Sequence, residues 1–202
     1  MNLFTFHVLF PLAVVWGAAV MLPGPNFLVI VWTAAARGRR DALFATAGVL
    51  TGALFWITAG LFGLKALFVA LPFAGTAIRL AGAAYLVWFG AQMLFRPAAA
   101  EAARPFGGSA YRAGLATNLS NPKSAAVAAS LLAVALPAGA PAVVGVEAFL
   151  MLVLISAAWY LTVALVGSMP AVVRAFVAAR RRITQVAGAL FVLFGLRLAL
   201  ER

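Results

Sequence analysis

Lys123 is the side chain in this sequence that most clearly asks for a chemical role. It follows Asn121-Pro122 directly and has apolar sequence on both sides. A lysine at the centre of a membrane-spanning helix costs about 2.5–3.5 kcal/mol on insertion scales, so an intramembrane cation is a functional candidate. Its ammonium suits a carboxylate ligand, and a buried lysine can also take part in proton coupling. The structural alternative is a cation pinned to the carbonyls that Pro122 releases. Asn118, Ser120 and Asn121 stand beside it, and Pro23-Gly24-Pro25-Asn26 interrupts an earlier apolar run in the same manner. These amides and hydroxyls offer neutral donors and acceptors. They could equally do no more than satisfy a backbone broken by proline, and the two roles are compatible.

The rest of the titratable inventory is sparse. The acids are Asp41, Glu101, Glu147 and Glu201, and His7 is the single histidine. So few scattered groups supply neither a catalytic acid–base pair nor a clustered metal site. The absence of cysteine removes disulfides, thiol catalysis and thiolate metal sites. No cofactor is expected. Glu147 opens an apolar run and could act as a relay carboxylate, His7 reads as structural, and Asp41 beside Arg39 and Arg40 reads as a solvated helix start. The five tryptophans read as interface anchors or packing.

The elements that must position Lys123 follow from composition. Two-thirds of the 202 residues are apolar and 9% are charged, which fits a polytopic all-α membrane protein. Six spans are expected, at about 3–36, 42–64, 76–95, 111–136, 143–167 and 183–200. The first is too long for one straight crossing and holds the Pro23–Pro25 break, so it is expected to be one tilted, broken helix retained as a span rather than cleaved as a leader. The net charge of +11 could suggest nucleic acid. The arginines fall between the apolar runs, however, which favours the positive-inside rule and anionic lipid headgroups over a nucleic-acid partner. Arg37, Arg39 and Arg40, then Arg96, Arg104 and Arg112, then Arg174 and Arg180–Arg182 would place the first, third and fifth loops in the cytoplasm, with both termini outside. Lys65 and Arg79 would mark the second loop.

The two halves also correspond. Residues 1–95 form one three-span unit, 96–110 a cytoplasmic linker, and 111–202 a second unit. Ala81-Gly82-Ala83 through Gly90 reads alongside Ala187-Gly188-Ala189 through Gly195, and Trp56 to Gly63 alongside Trp159 to Gly167. An odd number of spans per half requires the repeats to be inverted, as in many secondary transporters whose site lies at the midplane between repeats. Pro25 lies 12 residues before Arg37, and Pro122 lies 10 after Arg112. At 1.5 Å per residue both are roughly 15–18 Å deep, close to the middle of a core about 30 Å thick. Gly48 and Gly52 form a small-xxx-small pair that reads as close helix packing.

These features resemble the LysE/RhtB family of bacterial amino-acid exporters. The resemblance rests on Pro23-Gly24-Pro25, on Gly48-x-x-x-Gly52 through Trp56 to Gly63-Leu64, on Gly82-x-x-Tyr85-Leu86-x-x-x-Gly90, and above all on Gly114-Leu115-x-Thr117-Asn118-Leu119-x-Asn121-Pro122-Lys123. It covers nearly the whole chain. It implies a non-enzymatic, multi-pass protein of the bacterial inner membrane, driven by a proton or ion gradient, with a substrate site near Pro23, Gly24, Pro25, Asn26, Asn118, Asn121, Pro122 and Lys123. Some members carry an acidic residue where this chain has Ala53, so a neutral amino acid fits better than a cationic one. Alternating access would rock one repeat against the other. Export of another small solute, such as a metal cation or a metabolite, is the alternative reading. A membrane scaffold or intramembrane enzyme is a remote one, and self-association is left open.

Overall fold

The computed structural model describes residues 3–70, 74–95, 108–135, 140–167 and 169–200. Among the described residues eight helices follow in order: α1 Leu3–Met21, α2 Pro25–Arg37, α3 Arg39–Ala70, α4 Ala74–Phe95, α5 Ala110–Leu119, α6 Pro122–Ala135, α7 Ala142–Val166 and α8 Pro170–Leu200. No strand occurs among the described residues. Among those residues α3, α7 and α8 are each long and apolar enough to cross a bilayer. The α1–α2 pair passes the same test as one span bent by 49°. The shorter apolar stretch Leu80–Phe95 belongs to α4.

Both expected breaks are present, and each proline opens a helix rather than kinking one. Chain 22–24 separates α1 from α2, with Gly24 extended and Pro25 in the first turn, where its missing N–H would have no helical acceptor anyway. Ser120 and Asn121 separate α5 from α6, and Pro122 is the first residue of α6. Gly38 closes α2 at φ +87°, a backbone angle that disfavours a Cβ. It hands the chain straight to α3, with Asp41 in the favourable first turn. Ser109 caps α5 by accepting the Arg112 N–H at 3.3 Å.

The basic cluster expected in the fifth loop is helical instead. Pro170 starts α8, and the helix runs 31 residues through Arg174 and Arg180–Arg182 into the stretch expected as the sixth span. Arginine is a good helix former, and nothing after Pro170 breaks the run, so charge alone did not mark a loop. Lys65 and Arg79 likewise fall within α3 and α4 rather than in a loop; their side chains lie outside the described residues. The linker arginines Arg96 and Arg104, with Glu101 and Glu201, are also outside them.

Two helix contacts are the most extensive in the fold: α4 with α8, and α3 with α5. Glycine makes both possible. A Cβ on Gly48 would fall on the Tyr111 carbonyl, and one on Gly114 would fall on the Ala45 carbonyl. A Cβ on Gly52 would stand 2.8 Å from the Asn118 side chain. In the other pair, a Cβ on Gly90 would lie 2.6 Å from the Gly188 carbonyl oxygen, and one on Gly188 would lie 2.8 Å from that of Gly90. Such backbone-to-backbone approach is how helices associate where lipid gives no hydrophobic drive. Gly63, by contrast, has open space around it. Around these seams Leu12, Ile30, Val49, Ile57, Leu131, Leu152 and Phe191 build the core.

Candidate functional site

Asn26 and Asn118, one from each break, meet at a cavity of about 40 Å³. Its walls come from six helices: Trp16, Ala19 and Val20 of α1, Asn26 of α2, Ala53 and Trp56 of α3, Asn118 of α5, Lys123, Ser124 and Val127 of α6, and Ser156 and Tyr160 of α7. The polar side chains are tied together across the halves of the chain. The Asn26 Nδ2 donates to Ser124 Oγ at 3.2 Å and to the Tyr160 hydroxyl at 3.4 Å. The Trp56 indole N–H donates to the Asn118 carbonyl at 3.3 Å, and the Trp16 N–H to Ser156 Oγ at 3.0 Å. The Ser156 hydroxyl in turn donates to the Leu152 carbonyl at 2.8 Å.

Two acceptors at this cavity are left over. Asn26 is 7% exposed and Asn118 is 2% exposed, yet the Oδ1 of each has no hydrogen-bond partner. A buried polar atom without a partner costs about 1–3 kcal/mol, so each of these amide oxygens keeps the capacity to accept from a donor in the cavity.

The breaks divide their labour. Asn121 caps α6: its Oδ1 accepts the Lys123 N–H at 3.0 Å, and its carbonyl accepts the Ser124 N–H at 3.0 Å. Satisfying the broken backbone is therefore what the Asn121 oxygens do, and Asn121 does not line the cavity. The N-terminus of α2 is different. Gly24 gives it no side-chain cap, so the early amides of α2 stay open and carry the partial positive charge of a helix start. The Lys123 ammonium lies there too, at 3.3 Å from where a Gly24 Cβ would stand. A lysine that begins α6 thus reaches the break before α2, and the positive locus lies at the first break. Pro23, Gly24, Pro25 and Pro122 shape these turns and are not walls of the cavity.

Sequence reading missed Trp16, Trp56, Ser124, Ser156 and Tyr160. Trp16 and Trp56 are cavity walls rather than interface anchors, whereas Trp32 and Trp88 are exposed on the outer surface of the bundle, as anchors would be. Trp159 packs with Phe27 and Phe176, with Phe27 and Phe176 stacked at 4.1 Å. The available signal was Ser156 and Tyr160 at i and i+4 on an otherwise apolar helix, which puts a hydroxyl stripe on one face. Glu147 lies on α7 outside the cavity, half-buried, with Oε2 lacking a partner. No group of three His, Cys, Asp or Glu side chains comes together among the described residues.

Apolar spans, proline-opened half-helices and a polar cavity between them are the features of a membrane translocator. The family described as LysE type translocator matches residues 18–202, and the chain belongs to that family. It is 31% identical over 201 residues to a threonine efflux protein of Salmonella typhi, covering 96% of this chain and 98% of that protein. A threonine efflux protein of Escherichia coli K12 is 30% identical over 198 residues, with 94% and 96% covered. A leucine efflux protein of Salmonella choleraesuis is 31% identical over 111 residues, about half of each chain (52% and 52%). No solved structure matches.

Proposed function

We propose that this protein exports neutral amino acids from the bacterial cytoplasm across the inner membrane by alternating access, coupled to a proton or ion gradient. The observation that carries this reading is the charge layout at one cavity. The Lys123 ammonium and the open start of α2 form a positive locus, while Asn26 and Asn118 each hold out an unpartnered oxygen. A zwitterionic amino acid matches both. Its carboxylate would take the Lys123 Nζ and the N–H groups that follow Pro25, and its ammonium would take the two Oδ1 atoms. The relatives named for threonine and leucine efflux support a neutral substrate. So does Ala53, which lines the cavity without adding a charge.

The cavity is contracted. About 40 Å³ holds roughly two or three waters, whereas the smallest amino acid has five heavy atoms. Substrate entry therefore requires the walls to part, as alternating access demands. We retain the six-span arrangement in two inverted repeats, with both termini outside, as part of this proposal; the α1–α2 and α5–α6 breaks would be the repeat-related pair. Counterflow in proteoliposomes tests the reading. Vesicles loaded with unlabelled threonine or leucine should accumulate the labelled amino acid, and a pH gradient should alter the rate. Absence of flux for every neutral amino acid would overturn it.

A further inference from the structure

The head-group end of the cavity accounts for Asn26, Asn118, Ser124, Tyr160 and Lys123, but not for its two tryptophans. Trp16 and Trp56 come from different helices, and both line the cavity. An indole is amphipathic, and its N–H normally seeks a partner when buried. Here both N–H groups are already engaged with the protein, Trp16 with Ser156 and Trp56 with the Asn118 carbonyl. What remains of each ring for the cavity is carbon surface.

The Trp16 ring stands a layer away from Asn26, while Trp56 is tied to the backbone of Asn118. On α7, Tyr160 bonds Asn26 and Ser156 bonds Trp16. The two positions are one helical turn apart, about 6 Å along the axis. A substrate whose charged groups sit at the Asn26 layer would place its side chain at the Trp16 layer, and Trp56 and the small Ala53 line the same cavity. We infer that Trp16 and Trp56 form the side-chain slot that decides which amino acids are exported, and that Ser156 is a positioning residue that fixes the Trp16 ring. This inference rests on the cavity being an amino-acid site.

Carbon walls select by size and shape. One methylene in an apolar pocket changes transport preference by roughly 10–200-fold, and such a pocket discriminates poorly against an added hydroxyl. Ser156 is itself a cavity wall, but its hydroxyl is engaged by the protein: it accepts from the indole and donates to Leu152, which fixes the ring's rotation. Without it the ring can turn, and its N–H is left unmatched in an apolar wall.

The test is counterflow in proteoliposomes with threonine, valine, leucine and phenylalanine on wild type, Trp56→Phe, Trp16→Phe, Ser156→Ala and the Trp16→Phe/Ser156→Ala double variant. Trp56→Phe and Trp16→Phe enlarge the slot and should raise the phenylalanine-to-threonine ratio of transport efficiencies about tenfold or more. Ser156→Ala should move the same ratio several-fold through KM. In the Trp16→Phe background it should have no further effect, because a phenyl ring has no N–H to anchor. A merely structural serine would lower all rates alike in either background. Equal losses for every substrate, or an undiminished Ser156→Ala effect beside Phe at position 16, would overturn the inference while leaving the exporter reading intact. Loss of all amino-acid flux in wild type would overturn both. The conservative phenylalanine replacements keep the test decisive even where alanine at either tryptophan disturbs folding.

Discussion

Replacing Lys123 with methionine isolates the charge from the chain that carries it. Methionine keeps an unbranched apolar stem, and the α6 cap is untouched because Asn121 bonds the backbone of residue 123, not its side chain. Lys123 as a residue is half-buried, and its ammonium lies against Gly24 at the uncapped start of α2. A hydrogen bond from a charged donor is worth about 1.5–3 kcal/mol, and each 1.4 kcal/mol is tenfold in affinity. Lys123→Met should therefore raise KM for a neutral amino acid by roughly 10–150-fold, with membrane insertion unimpaired. The assay is labelled threonine counterflow over a concentration series, with protein content per vesicle measured alongside. The decisive control is Gly24→Ala. Its methyl would stand 3.3 Å from Nζ, slightly inside ordinary contact, so the ammonium must move by a few tenths of an ångström. That variant should raise KM a few-fold, less than the methionine does. A KM within twofold of wild type for Lys123→Met would refute a carboxylate partner for this lysine.

Other outcomes follow from the same geometry. Asn118→Leu removes an orphaned oxygen and should weaken substrate binding by roughly tenfold while the empty protein melts no lower than wild type, since a buried unsatisfied atom is lost with it. Tyr160→Phe deletes one long hydrogen bond to Asn26 and should raise KM only about two- to fivefold. Gly48→Ala drives a methyl into the Tyr111 carbonyl and should lower stability by about 1–3 kcal/mol or prevent folding, read as the melting temperature or yield in detergent. Gly63→Ala, with open space around it, should leave both yield and transport near wild type.

How much of this was legible in advance depended on whether a residue's signal was local. Pro25 and Pro122 act on their own backbone, so their effect could be placed from sequence, and both open helices. Gly48 and Gly52 declared close packing by their spacing, though not that Tyr111 and Asn118 would fill the space. Asn121 could not be told from Asn118 by sequence, because the same amide caps a helix at one position and faces a cavity at the other. Lys123 was found, but its reach to the first break was not, since that depends on how α6 sits against α2. Trp16 and Trp56 do pack in the core, as one of the two expected roles had it, but their place at the cavity was not legible because an indole at a bilayer surface and one at a cavity wall look identical until their N–H partners are known. The arginines of α8 were taken for a loop because charge was allowed to outweigh helix propensity.

The glycine seams decide which parts of the molecule can travel together. One joins α3 to α5 and the other joins α4 to α8, so each couples a helix before residue 96 to one after residue 107. Sliding α5 along α3 by one turn would set the Ala45 carbonyl against Ala110 or Asn118, neither of which has the bare backbone of Gly114. The seam therefore favours a single register between α3 and α5, a contact that joins the two halves of the chain. Rocking one half against the other would have to part both seams. The break at Ser120–Asn121 leads from α5 to Lys123 and Ser124 on α6, and the break at 22–24 leads from α1 to Asn26 on α2. Each proline break thus opens a helix that carries a portion of the cavity wall.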